Sequence, residues 1–138
     1  MTRAVAVDLG SARIGVAVTD GTLAFPRPFV ARTGDRGAEH RAIAAVVDEV
    51  GAEVLVVGLP ISLDGSHGPA ARHAAAEARD LSHELPGIRV ETFDERLTTV
   101  SAEAGLRAAG RRGAQARRRS VDSAAATVLL EAWLAAAR

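Results

Sequence analysis

The order in which two periodicities occur constrains this chain more than any other feature. Three β-type runs come first, and only afterwards does helical spacing alternate with strand spacing. Ala4-Val5-Ala6-Val7 is a short apolar run that ends at Asp8, and Arg13 to Thr19 is a second run joined to it by the turn-forming Gly10-Ser11. Leu23 to Val30 reads as a third strand; Pro26 and Pro28 lack backbone donors and suit only a sheet edge. From Gly37 onward Ile43, Val46, Val47 and Val50 repeat at helical spacing, and Gly51 stands where a helix would stop. Val54-Leu55-Val56-Val57 then reads as a strand buried on both faces, which points to an interior, parallel neighbour. Pro69 suits the first turn of an Ala-rich helix running to about Glu84, and Ile88 to Phe93 alternates with period two before Asp94-Glu95-Arg96. Thr98 or Ser101 can cap a helix through about Ala109, Gly110 to Gly113 interrupts it, and a last helix starts near Ser120. Its expected apolar stripe is Val121, Ala125, Val128, Leu129 and Trp133.

This order predicts an α/β fold with a five-stranded mixed sheet, its first three strands antiparallel, its first strand central and helices flanking it. That is the ribonuclease H-like arrangement, expected here as a single domain over residues 1–138. Apolar residues make up 48% of the chain, enough for a real core, while the longest apolar runs fall far below the ~20 residues of a membrane span. With no signal-peptide anatomy at Met1-Thr2-Arg3, a cytoplasmic protein without a membrane partner is expected. The absence of cysteine removes disulfides, thiolate metal sites and thiol catalysis together. His40, His67, His73 and His83 lack the spacing that puts two imidazoles on one helical face, so a histidine zinc site is not expected.

The acids fall where such a fold would gather them. Asp8 ends the first strand, Asp94 and Glu95 end the last, and Asp122 opens the final helix; all three points map to one end of the sheet. Carboxylates brought together repel one another unless a counter-charge intervenes, and hard divalent cations with oxygen ligands supply it. Two such ions, Mg2+ or Mn2+, can activate a water and stabilise the leaving oxygen of a phosphoryl displacement without His or Cys. Each acid also has a structural reading. Asp8 can form a turn with Gly10, Asp94 can pair with Arg96 or cap the next helix, Glu95 can lie on the surface, and Asp122 suits a helix dipole. Glu91 alternates onto a face expected to be solvated.

The formal net charge is zero, so any nucleic-acid footprint must be local. The stretch from Arg107 to Arg119 holds Arg111, Arg112, Arg117, Arg118 and Arg119 with no acid, beside Asp122, and phosphates are its obvious counter-ions. The loop Asp64-Gly65-Ser66-His67-Gly68 leads into a helix N-terminus, where an anion or a plain turn would both be at home. Aromatics are few, and three of Phe25, Phe29, Phe93 and Trp133 sit in core-like patterns; stacking on bases is not expected to dominate. Apart from His67, the histidines read as exposed helix positions.

AVDLGSARIGVAVTD, VVGLPISLDGSHGP, FDERLTT and SVDSAAATVLLEAWL resemble, in order and spacing, the YqgF (also called RuvX) family of bacterial RNase H-like proteins, over essentially the whole chain. The resemblance implies a nuclease: a Holliday junction resolvase, or an enzyme that trims the precursor of small-subunit ribosomal RNA. It implies Asp8, Glu95 and Asp122 as metal-binding catalytic acids, with Asp94 and Arg96 as neighbours and Asp94 as a further candidate ligand. Ser62 stands where relatives often have Asn, and strand four ends in Gly58-Leu59-Pro60 without a carboxylate, so a ligand must come from the Asp94-Glu95-Arg96 segment. The implied partners are a structured RNA precursor or a four-way DNA junction, with ribosomal components in the first case. Symmetric junction cleavage would need a homodimer, whereas trimming an RNA end needs only a monomer.

Two other readings stand beside this one. A phosphate-binding module of the actin and sugar-kinase type also begins with a hairpin after a DxG strand, but it clamps its nucleotide between two domains, and this length leaves room for one. A non-catalytic nucleic-acid-binding module would keep the fold and the arginines without the cleavage.

Overall fold

The computed structural model describes residues 2–98 and 123–137. Strands β1 (Ala4–Leu9), β2 (Arg13–Thr19) and β3 (Ala24–Ala31) form an antiparallel meander, followed by helix α1 (Arg36–Val50), β4 (Val54–Leu59), α2 (Pro69–Glu84), β5 (Arg89–Asp94), a 3-10 turn (Glu95–Thr98) and α3 (Ala124–Ala136). The sheet order is β3-β2-β1-β4-β5, with β4 and β5 parallel to β1, so the first strand is central and the proline-bearing β3 is an edge. The five-stranded mixed sheet and its antiparallel start are as the periodicity predicts. The sequence expected α1 from Gly37; it starts one residue earlier, because Asp35 accepts a bond from Ala38 N at 3.1 Å and caps it. Gly51, at φ 65°, ends it in the left-handed conformation.

Period-two alternation splits the strands between two cores. Val5, Val7, Ile14, Val16, Leu55 and Val57 pack with Ile43 and Val47 of α1 and Ala78 and Leu81 of α2. Ala4, Ala6, Ala17, Ala24, Val54 and Val56 form the other face, under Ala126, Leu129, Leu130, Trp133 and Leu134 of α3. Four alanines on that face let α3 sit close to the sheet. Burying each large aliphatic side chain contributes about 1.5–3 kcal/mol, so packing holds these short helices in place more than their own propensity does.

The α3 stripe is rotated from the one the sequence suggests. Leu129 and Trp133 are buried as expected, but Ala125 is exposed and Val128 half-buried, and Ala126, Leu130 and Leu134 complete the buried face. Val121 lies outside the described residues, as do Ser101, the helix expected through about Ala109 and the Gly110–Gly113 break; Thr98, the other expected start, ends the 3-10 turn with its hydroxyl donating to Glu95 O at 2.7 Å. Among the described residues no helix is long and apolar enough to cross a membrane.

His40 is not exposed: it is 4% accessible, with Nε2 at 2.7 Å from Glu77 Oε2 and Nδ1 at 2.6 Å from Glu84 Oε2. Arg32, after β3, grips both oxygens of buried Glu77 at 2.8 and 3.0 Å and reaches buried Glu39 at 3.0 Å. This network fastens the exit of β3 to α1 and α2 on the face away from α3. Glu91 departs from expectation too, since its Oε1 accepts the indole N–H of Trp133 at 3.1 Å.

Candidate active site

The hairpin between β1 and β2 turns within residues 10–12. Gly10 N donates to Asp8 O at 3.0 Å, and a Cβ on Gly10 would meet the carbonyl oxygen of Arg13 at 2.5 Å. The turn bond uses the backbone of Asp8 and leaves its carboxylate free to act elsewhere. By alternation Asp8 shares a face with Ala4 and Ala6, the face that α3 covers.

Register brings the second acid to it. β1 pairs with β4 up to Val7 and Val57, which puts Asp8 level with Gly58, and Gly58 in turn pairs with Phe93 of β5. Two residues past Phe93, Glu95 folds back over Gly58, where a Cβ would lie 2.5 Å from Glu95 Oε1 and 3.1 Å from its Cγ. The missing side chain of β4 is therefore the space that a carboxylate from the turn after β5 fills. Asp8, Glu95 and Thr98 line a cavity of about 380 Å3 with Ala124, Ala125, Val128 and Leu129 of α3. A larger cavity of about 680 Å3, between Ser11, Arg32, Arg36, His73 and Glu77, contains neither acid.

The pair is electrostatically unbalanced. Burial raises the Glu95 carboxyl first, then the charge of Asp8, the hydrogen bond the two carboxyl groups share, and the charge of Asp94; together they push it to about 7. Among the described residues neither acid of the pair forms an ion pair with a basic side chain. Asp94 is settled differently. Arg96 Nε and Nη2 donate to its Oδ2 at 2.9 and 2.6 Å and Arg96 N to its Oδ1 at 2.9 Å, and this guanidinium holds its carboxyl below the usual range. Adjacent residues at a strand end point apart, so the structure separates the two neighbours: Glu95 goes to Asp8 and Asp94 to Arg96.

The loop after β4 closes on itself. Asp64 Oδ1 accepts Ser66 N at 2.9 Å, Gly65 N donates to Ser62 O at 2.8 Å, and Gly68 precedes α2 without a side-chain cap. A Cβ on Gly65 would stand 3.6 Å from Arg96 Nη1, so this loop borders the Asp94–Arg96 pair. The aromatic expectation is corrected: Phe25 and Phe29 are 49% and 42% exposed, and only Phe93 and Trp133 belong to a core. Arg13 lies over the Phe29 ring, 5.6 Å from its centroid. Prolines on an edge strand with one solvated side leave those two rings outside.

Asp122, Arg111, Arg112, Arg117, Arg118 and Arg119 lie outside the described residues. Of the sequence candidates the structure thus brings together Asp8 and Glu95, with Asp94 and Arg96 beside them. Among the described residues no group of three His, Asp or Glu side chains has the placement of a complete metal site. Sequence reasoning passed over Gly58, whose signal was present: a strand ending without an acid next to one ending in two.

Residues 2–136 match the family described as "RuvX: Holliday junction resolvase". A protein of Anaeromyxobacter sp., named "Putative pre-16S rRNA nuclease", is 45% identical over 133 residues, 96% of each chain. One of Leifsonia xyli with the same name is 45% identical over 134 residues, 96% of this chain and 84% of that one. Among solved structures, T. thermophilus RuvC in complex with a Holliday junction substrate superposes with a TM-score of 0.71 at 15% identity, over 99% of this chain and 96% of that one. A further Thermus thermophilus RuvC structure gives 0.63 at 14% identity, with the same coverage. At such identity these two show the RNase H-like fold.

Proposed function

The chain belongs to the RuvX family, and from that membership together with the Asp8–Glu95 pair we propose that it is a single-domain, cytoplasmic, metal-dependent nuclease acting on structured nucleic acid. The observation that carries the reading is the meeting of the Asp8 carboxyl, at the end of β1, with that of Glu95, which folds back over Gly58 from the turn after β5 and is raised to about 7. Two carboxyl groups set this close, with burial and mutual repulsion disfavouring the charge on Glu95, are suited to a divalent cation. Its donors are all oxygen, which favours Mg2+ or Mn2+ over softer metals.

Asp8 and Glu95 would hold that cation, with Asp122 as the third acid that family resemblance implies. When bound, it supplies the activation of a water and the stabilisation of a leaving oxygen in phosphodiester hydrolysis. The chain's own contribution is to fix the two carboxylates on rigid strand ends and to keep the α3 side of the site apolar through Ala124, Ala125, Val128 and Leu129. Asp94, occupied by Arg96, serves better as a support that orients the turn than as a principal ligand. Arg96 and the arginines at 111, 112, 117, 118 and 119 are assigned to phosphates of the substrate backbone.

Relatives at 45% identity over 96% of this chain favour the end of a ribosomal RNA precursor as the substrate. The family's description favours a four-way DNA junction, which would require a homodimer to cut symmetrically. Cleavage of both substrates by wild type and by Asp8→Asn in the presence of Mg2+ or Mn2+ tests the reading. Asp8→Asn is expected to lose at least ~100-fold in rate while remaining folded. Undiminished cleavage by that variant would remove Asp8 from the chemistry.

A further inference from the structure

The pairing of β2 with β3 is interrupted at the level of the acid pair. Ile14 pairs with Val30 but Val16 pairs with Arg27, so Gly15 alone stands opposite Pro28 and Phe29, and Gly15 is itself the partner of Asp8. Such a bulge opens the ladder, and the backbone groups beside it need other partners. Ser123 supplies them. Its Oγ accepts Val16 N at 3.1 Å and donates to Arg27 O at 2.5 Å, so one hydroxyl bridges the two strands. The residue is 2% exposed, and these contacts join it to positions 107 and 96 residues away. Ser123 is also the residue from which α3 starts, and its own carbonyl is held by Thr127 Oγ1 at 2.8 Å.

We propose that Ser123 is a positioning residue for the nuclease site: by clipping the start of α3 into the β2–β3 bulge, it sets the α3 wall against Asp8 and Glu95. The inference rests on the acid pair being the reaction centre. A surface serine before a helix would cap it, but Ser123 makes no side-chain bond to its own helix. Among the described residues, both partners of its hydroxyl belong to the sheet. Ala124 and Ala125, the next two residues, line the cavity that holds both acids, so a shift of the clip is transmitted directly to the site. Reactive groups depend steeply on such placement, and loss of a supporting hydrogen bond typically costs 10–100-fold in activity.

The test compares Ser123→Ala, Ser123→Thr and Ser123→Cys with wild type on a labelled four-way DNA junction and a ribosomal RNA precursor fragment, whichever the wild type cleaves with Mg2+. Thr keeps the hydroxyl, whereas Cys fills the space with a weak hydrogen-bonding group. Removal of the hydroxyl is expected to lower kcat by about 10–100-fold with KM within about twofold, and Thr to restore most of kcat. Leu85→Ala, in the opposite core, serves as the stability control: an equal fall in its kcat per folded molecule would reduce Ser123 to a structural residue. If Ser123→Ala does not fold, Ser123→Cys decides by the same criteria. Unchanged kcat in folded Ala or Cys variants overturns the inference. Asp8→Asn in the same assay separates the two readings: inactive Asp8→Asn beside fully active Ser123→Ala refutes only the clip, whereas active Asp8→Asn refutes the site itself.

Discussion

Two groups of carboxylates lie on opposite faces of the same sheet, and they have been treated in opposite ways. On the α1–α2 face, Glu77 is buried, which raises its carboxyl, but hydrogen bonds from Arg32 and His40 outweigh that and hold it below its ordinary value. Glu39 is lowered first by Arg32 and then by the amides of Thr33 and Gly34, while the carboxylates hold the Arg32 guanidinium above its ordinary value. That group brings its own cations. On the α3 face, Glu95 is raised by burial and by Asp8, with nothing among the described residues to lower it. Acids neutralised from within serve structure; acids left in excess at a cavity wall call for a partner from outside.

The largest expected effect that would break this contrast concerns the neutralised group. Arg32→Leu leaves Glu39 and Glu77 buried without their guanidinium and should cost about 3 kcal/mol or more in urea unfolding, with cleavage per folded molecule unchanged. Unaltered stability with lost cleavage would invert the assignment of the two groups. Gly58→Ala sharpens the other side. Its Cβ meets the Glu95 side chain from Cγ to Oε1 and no backbone atom is among its nearest neighbours, so stability should change by less than about 1 kcal/mol while kcat falls by about 10–100-fold. Equal activity would mean that the position of Glu95 over Gly58 does not matter.

A smaller effect is written in the pH dependence of the metal-free protein. Glu95 has an ordinary value of 4.5 and a folded value of about 7, so between these the folded chain keeps a proton that the unfolded chain releases. Stability must therefore fall as pH rises through that window. Glu39 and Glu77, lowered on folding, act the other way, and their contribution is lost as pH drops below 4.5. Thermal unfolding should show the decline between pH 4.5 and about 7 in wild type and not in Glu95→Gln, and Mg2+ should flatten it. A flat metal-free profile would show that Asp8 and Glu95 do not strain each other.

The sheet was legible in the sequence because strands announce themselves by period two and by runs such as Val54 to Val57, and because Pro26 and Pro28 leave β3 only an edge. The convergence of Asp8 with the end of β5 followed from that topology. Helix phase was less legible: α3 is so rich in alanine that several faces look equally apolar, which is why the periodicity puts Ala125 in the core when it lines the cavity. His40 reads as exposed because its partners, Glu77 and Glu84, lie 37 and 44 residues away and no local pattern links them. That Glu95 and not Asp94 crosses Gly58 needed coordinates, since only register shows which of two adjacent acids does so. Ser123 read as part of a motif, and its bond to a bulge two strands from Gly58 has no sequence signature.

Calorimetric titration of Mn2+ into wild type, Glu95→Gln and Glu77→Gln examines the contrast directly. Heat of binding should be strong in wild type, retained in folded Glu77→Gln and abolished in Glu95→Gln. Equal Mn2+ affinity in wild type and Glu95→Gln would contradict the claim that the Asp8–Glu95 pair is built to share a cation.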